Sequence, residues 1–97
     1  MSVPKAPTGH FTLLFFATAS SYTKKSYEFL PAPLAIRELF NELETRYGGI
    51  TEKVLRSSAV TINLEYVDMD EESEQARSGI TIAAGDEVAI IPPVSSG

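Results

Sequence analysis

Residues 34–49 read LAIRELFNELETRYGG, and this stretch decides the fold. Its apolar residues recur at intervals of three and four, which is the spacing of one face of an amphipathic helix. They are Ile36, Leu39, Phe40, Leu43 and Tyr47. Charged residues lie outside this stripe, and Gly48–Gly49 predicts the end of the helix through a left-handed cap. Such a helix needs a surface to cover, so the flanking segments are expected to form a sheet.

Two strands are predicted before this helix. Phe11–Ala17 (FTLLFFA) is rich in aromatic residues and predicts a strand with apolar residues on both faces. Ser26–Leu30 predicts a second short strand, and the small polar residues of Thr18–Lys25 indicate a loop or one helical turn. Pro31 and Pro33 then mark the break before the helix.

The segment after the glycines predicts a short second helix. Thr51 is suited to cap it, because a threonine side chain accepts hydrogen bonds from the first N–H groups of a helix. This helix would run through Arg56 and bury Val54 and Leu55.

The C-terminal half supplies the remaining strands. Val60, Ile62 and Leu64 alternate with polar residues, which predicts a third strand that turns near Asn63–Glu65 into Tyr66–Val67. The segment Asp68–Gly79 holds five acidic residues and one arginine and predicts a solvated loop. Strands are then predicted at Ile80–Ile82 and Glu87–Ile91.

The predicted order of elements is β, β, α, β, β. Two strands, a crossover helix and further strands form a mixed sheet with one covered face, which is the β-grasp, or ubiquitin-like, layout of the α+β class. A length of 97 residues with 43% hydrophobic residues suits a single domain over residues 1–97. Residues 1–9 are expected to be a flexible arm, and residues 93–97 an extended tail.

The composition excludes several kinds of function. A net charge of −5 argues against binding to nucleic acid or to an anionic membrane. No run approaches the ~18 apolar residues of a membrane span, so a cytoplasmic protein is expected. The absence of cysteine excludes disulfides and thiolate metal sites. Residues 68–72 lack the spacing of a calcium loop, and no nucleophile has a base beside it, so neither a metal site nor side-chain catalysis is expected.

The only histidine, His10, stands at a predicted strand start with no cysteine to accompany it. It is interpreted as a surface or framework residue.

A single helix covers only one face of a small sheet. Alternation along the first and last strands places Leu14, Phe16 and Ile91 on the uncovered face, and these residues are predicted to form an apolar patch that binds another protein. The alternative is that the N-terminal arm, residues 1–9, partly covers this face.

Four motifs support a resemblance to a known family. They are GDEVAIIPPVSSG at residues 85–97, FFATAS at 15–20, LPAPL at 30–34 and EYVD at 65–68. From residue 11 to the end, the chain resembles the small, sulfur-carrier subunits of molybdopterin synthase, which are ubiquitin-like proteins. Many members end in Gly-Gly, whereas this sequence ends in Ser96–Gly97.

The resemblance implies a chemical role for the carboxylate of Gly97. A partner enzyme that resembles ubiquitin activators would adenylate it with ATP, and sulfur would then displace AMP to leave a thiocarboxylate. The large subunit of molybdopterin synthase would transfer this sulfur to cyclic pyranopterin monophosphate, which forms the dithiolene of molybdopterin. The resemblance also implies a heterotetramer, catalytic side chains on the large subunit, and no permanently bound cofactor.

The residues before Gly97 suit a tail that threads into a partner. They are Pro92, Pro93, Val94, Ser95 and Ser96. The two prolines hold the exit extended and lower the ordering cost of insertion. The five residues 93–97 can reach about 16 Å, which is enough to enter a buried site.

Two rival functions stay open. The chain could be another β-grasp sulfur carrier, which serves thiamine synthesis or tRNA thiolation through the same chemistry. It could instead be a non-catalytic ubiquitin-like interaction module whose tail is never activated.

Overall fold

The computed structural model describes residues 3–67 and 80–93. The strands are β1 (His10–Phe15), β2 (Tyr27–Pro31), β3 (Leu34–Ala35), β4 (Ala59–Ile62), β5 (Glu65–Val67), β6 (Thr81–Ile82) and β7 (Glu87–Ile91). The helices are α1 (Ala17–Thr23), α2 (Leu39–Arg46) and α3 (Ile50–Lys53), with 3₁₀ turns at Ile36–Glu38 and Leu55–Ser57.

The main sheet has the strand order β2-β1-β7-β4-β5. Two of its strands, β1 and β7, pair in parallel, whereas all other neighbouring strands in the sheet are antiparallel. A parallel pair needs a crossover connection, which the intervening helices supply. A second, two-stranded sheet joins β3 to β6. This mixed sheet packed on helices confirms the predicted β-grasp fold.

The helix stripe found in residues 34–49 covers one face of the main sheet. Leu39 and Leu43 of α2 are fully buried. They join a core formed by alternate residues of β1 and β7, namely Phe11, Leu13, Phe15, Val88 and Ile90. Val54 and Leu55 are also buried, as predicted. The opposite face of the sheet is therefore the one left for other contacts.

The first strand ends earlier than predicted. It stops at Phe15 and not at Ala17, because Ala17 has a φ of 50°, which is incompatible with an extended strand. The chain then forms α1, which has about two turns where a loop or one turn was expected. Ala19 is fully buried in this helix, and the Thr23 hydroxyl donates to the Ala19 carbonyl at 3.0 Å. Burial of one side therefore stabilises a helix that its small polar residues do not predict.

The main helix is shorter at its start than its stripe suggests. Leu34 and Ala35 are extended and pair with β6, and the Ile36 N–H donates to the Ile80 carbonyl at 2.8 Å. The first residues of the stripe thus join the second sheet before the helical turns begin. At the other end α2 stops at Arg46, just before the two glycines, but its C-cap is Tyr47 with a φ of −134°, so the predicted left-handed cap of α2 is wrong. The left-handed residue is Gly49, with a φ of 88°, and it begins α3 as its N-cap. A Cβ there would lie 2.9 Å from the Tyr22 hydroxyl, which also favours glycine.

Glu44, and not Thr51, caps α3. The helix begins at Ile50, so Thr51 lies inside its first turn. The Glu44 carboxylate accepts hydrogen bonds from the N–H of Gly49 at 2.6 Å and from the N–H of Thr51 at 3.0 Å. These backbone hydrogen bonds stabilise the charged form, so the pKa of Glu44 is lowered.

Candidate docking face and tail origin

The sheet face that points away from α2 is built by alternate residues of neighbouring strands. Leu14 pairs with Ala89, Ala89 pairs with Thr61, and Thr61 pairs with Tyr66. Paired residues share a face, so these side chains form one row across the sheet. On the other side of Leu14 the row continues into Tyr27 of β2.

Eight residues line a shallow depression on this face, and we call them the docking patch. They are Leu14, Phe16, Thr61, Leu64, Tyr66, Glu87, Ala89 and Ile91. The structure thus brings the predicted residues Leu14, Phe16 and Ile91 together. The side chain of Phe16 is 47% exposed, which is unusual for a large apolar residue. An exposed apolar cluster of this kind is typical of a protein-binding surface.

Leu64 and Tyr66 also lie on this surface, although alternation along the strands did not predict them there. Both are highly exposed, at 85% and 72%. Alternation grouped Leu64 with the third strand, but it lies in the two-residue turn between β4 and β5 with a φ of 72°. The left-handed backbone directs its side chain to the patch. Asn63 was the available signal, because asparagine favours the left-handed position of tight hairpin turns.

The described part of the N-terminal arm does not cover the docking patch. None of residues 3–9 lines the depression. The Gly9 carbonyl accepts a hydrogen bond from the Ala32 N–H at 2.9 Å, which holds the end of the arm near the junction of β2 and β3. Residues 3–9 therefore leave this depression open.

The tail begins at the edge of the docking patch. Ile91 is the last residue of β7 and lines the patch, and the Phe16 N–H donates to the Ile90 carbonyl at 3.2 Å. Pro92 is buried and Pro93 is exposed, so the described chain reaches the surface two residues after Ile91. The other predicted tail residues, Val94, Ser95, Ser96 and Gly97, lie outside the described residues.

Comparison with known proteins identifies the family. The model of the ThiS family matches residues 13–97, from the middle of β1 through the tail. The chain belongs to the ThiS family.

Named relatives of this ThiS-family chain agree with the resemblance in its motifs. A protein of Pyrenophora tritici-repentis, named molybdopterin synthase sulfur carrier subunit, is 58% identical over 97 residues, which cover 100% of each chain. The resemblance is therefore confirmed.

Solved structures share the fold of this ThiS-family chain. SAMP1 from Haloferax volcanii matches with a TM-score of 0.70 and 20% identity, over 92% of this chain and 100% of that chain. A complex of subunits 1 and 2 of molybdopterin-converting factor from Helicobacter pylori contains a chain that matches with a TM-score of 0.58 and 21% identity. That match covers 91% of this chain and 99% of the other.

Three further observations concern the described residues of the ThiS-family chain. Within residues 3–67 and 80–93, no group of three or more His, Cys, Asp or Glu side chains is placed to hold a metal ion. His10 lies at the start of β1, where its Nδ1 is 3.0 Å from the Thr8 carbonyl oxygen. Among the helices described, none has the length and apolar character needed to cross a membrane.

Proposed function

We propose that this chain is the sulfur-carrier subunit of a molybdopterin synthase and that Gly97 carries the sulfur as a thiocarboxylate. The supporting observation is the origin of the tail. β7 contributes Ala89 and Ile91 to the docking patch and continues directly into Pro92 and Pro93. A partner held on the patch therefore lies where the tail can enter it. The relative of 58% identity named molybdopterin synthase sulfur carrier subunit supports the choice of pathway.

Activation of Gly97 requires a better leaving group than its carboxylate offers. The carboxylate oxygen attacks the α-phosphate of ATP on a partner enzyme that resembles ubiquitin activators, and pyrophosphate leaves. Hydrosulfide-level sulfur (HS⁻) from the sulfur donor then attacks the carbonyl carbon of the acyl-adenylate, and AMP leaves with the oxygen. The product is a terminal thiocarboxylate. Glycine suits this position because no Cβ crowds the reacting carbonyl, and ATP is consumed without being a resident cofactor.

Transfer of the sulfur requires the tail to reach a second partner. Five fully extended residues span about 16 Å, which would let Gly97 reach a buried site on the large subunit. There the sulfur is transferred to cyclic pyranopterin monophosphate in the cytoplasm. The large subunit supplies the catalytic side chains, and two of each subunit form a heterotetramer. The Helicobacter pylori complex of subunits 1 and 2 supports such a pairing.

Mass spectrometry of the intact chain tests the proposal. The chain is incubated with the activating enzyme, ATP and a sulfur donor, and we expect a mass gain that corresponds to one oxygen replaced by sulfur. The loaded chain should then form molybdopterin with the large subunit and its precursor. Failure to load would favour the interaction module. Loading followed by transfer only to a thiamine precursor or to tRNA would favour the rival sulfur carriers.

A further inference from the structure

The turn between β4 and β5 combines two features that do not help the chain to fold. Asn63 and Leu64 have φ values of 51° and 72°, in the left-handed region. Asparagine tolerates this region, whereas leucine rarely adopts it. Leu64 also exposes 85% of its surface. A strained residue that presents an apolar side chain to solvent indicates a role in contact with another molecule.

Asn63 hydrogen-bonds this turn to the start of β7 and to the residue before it. Its side-chain Oδ1 accepts a hydrogen bond from the Glu87 N–H at 3.0 Å, and its Nδ2 donates to Asp86 Oδ1 at 3.1 Å. Its own N–H donates to the Glu87 carbonyl at 2.7 Å. Two hydrogen bonds of Asn63 therefore connect the turn to Glu87, the first residue of the strand that leads to the tail, and a third connects it to Asp86, the residue before that strand.

Asp86 extends this connection to the rest of the sheet. Its Oδ2 accepts a hydrogen bond from the Ala83 N–H at 2.8 Å, which closes the turn before β7. Its carbonyl accepts a hydrogen bond from the Thr12 N–H of β1 at 3.0 Å. The turn with Leu64 is thus fixed relative to both strands that supply the apolar part of the docking patch.

We propose that Asn63 is a positioning residue for docking: its side-chain amide holds Leu64 and Tyr66 in the arrangement that the large subunit binds. The inference rests on the proposed function. A partner that meets an already ordered turn does not have to order it during binding. A loosened turn would add that ordering cost to every docking event.

Two variants of Asn63 separate its hydrogen bonds from its backbone conformation. Asn63→Gly keeps access to positive φ but removes the amide, and we expect the Kd for the large subunit to rise about tenfold, since two exposed side chains must then be ordered on binding. Asn63→Asp places a carboxylate against Asp86 and should weaken binding as well. The reciprocal pair, Asn63→Asp with Asp86→Asn, restores a donor facing an acceptor and should recover most of the wild-type affinity.

A double-mutant cycle tests whether Asn63 acts through Leu64. In a Leu64→Ala background, Asn63→Gly should have a much smaller effect on the Kd than in the wild type, because the anchor that it positions is gone. Tyr22→Phe is the matched control, since it removes a hydrogen bond of 2.7 Å to the Gly48 carbonyl outside the docking patch. This control should leave the Kd unchanged. Calorimetric titration of the large subunit gives every Kd.

The outcomes distinguish this inference from the proposed function. If the wild-type chain does not bind the large subunit, both proposals are overturned. If the wild type binds and Asn63→Gly binds equally well, only the positioning role is wrong. Fully additive effects of Asn63→Gly and Leu64→Ala, or no recovery in the reciprocal pair, would also overturn it. The positioning role is established if Asn63→Gly weakens binding, the reciprocal pair recovers the affinity, and the effects of Asn63→Gly and Leu64→Ala on the Kd are not additive.

Discussion

Replacement of Phe16 by aspartate tests the docking patch at the point where the tail begins. Phe16 is a patch residue with 47% of its surface exposed, and it also stands at the N-cap position of α1 without a side-chain hydrogen bond. We expect Phe16→Asp to abolish complex formation with the large subunit and to leave the chain folded.

The loss of affinity follows from the exposed area of the ring. A phenylalanine side chain presents about 200 Å², so the 47% that is exposed leaves about 90 Å² for a partner to cover. At about 25 cal/mol per Å², that area contributes about 2.3 kcal/mol, or about a 50-fold change in Kd. This is the effect expected of Phe16→Ala. Aspartate adds the cost of burying a carboxylate, which is several kcal/mol, so the complex should become undetectable.

The effect on folding should be smaller. The buried half of the ring contributes roughly 2.5 kcal/mol, and an aspartate at the N-cap position offsets about 1 kcal/mol of its loss. The net change is below the 5–15 kcal/mol by which domains are typically stable, so the variant should remain folded, with a lower melting temperature.

The assay combines calorimetric titration of the large subunit with thermal unfolding followed by circular dichroism. Tyr22→Asp is the control, because Tyr22 is an exposed aromatic residue of α1 outside the docking patch, and its replacement should not change the Kd. A folded Phe16→Asp variant that bound with wild-type affinity would refute the assignment of this face. An unfolded variant would show that the ring contributes far more to the core than its exposure indicates.

Four further predictions concern the tail, the turn and the cap. Deletion of Gly97 would place the carboxylate about 3.3 Å short of the reaction site, so thiocarboxylate formation should be lost while binding to the large subunit persists. Ser96→Trp should block loading or transfer and Ser96→Gly should not, because only the backbone of residue 96 is expected to fit the partner site that the tail enters; normal turnover of the tryptophan variant would refute this. Leu64→Gly should raise the free energy of unfolding by about 0.5 kcal/mol in urea titrations, because glycine accepts positive φ, and should weaken docking. Glu44→Gln should destabilise the fold at neutral pH. Because the pKa of Glu44 is lowered in the folded state, its carboxylate stabilises the fold above the ordinary glutamate pKa, and this stabilisation is lost as the pH falls through the lowered value. The difference in free energy of unfolding between the Glu44→Gln variant and the wild type should therefore shrink in acid.

The parts of the fold predicted correctly are those that depend on local periodicity. Alternation along β1 and β7 was sufficient to place Leu14, Phe16 and Ile91 on one face, because strand geometry sends successive side chains to opposite sides. The apolar stripe of α2 was predicted in a similar way, because helix geometry brings residues three and four positions apart to one face. These patterns depend only on neighbours in sequence.

The parts that were missed depend on contacts between distant segments. The hydrogen bonds of Asn63 to Asp86 and Glu87 join residues more than twenty positions apart, and no periodicity encodes them. Positive φ at Ala17 and Leu64 contradicts the preference of both residue types, so their own propensities did not predict the end of β1 or the direction of Leu64, although Asn63 signalled the turn. The chemistry of Gly97 was inferred from family resemblance and tail composition, and it remains a proposal.

The central position of β7 determines how the carrier responds to a mechanical load on its tail. β7 is hydrogen-bonded to β1 on one side and to β4 on the other, and Pro92 and Pro93 continue it. A pull along the tail therefore acts in shear on two ladders at once, and the load is distributed over many hydrogen bonds. An edge strand such as β2 has only one ladder, which can be peeled apart bond by bond. Under the proposed function, the globular part would therefore withdraw its tail from the partner's site without unravelling its last strand.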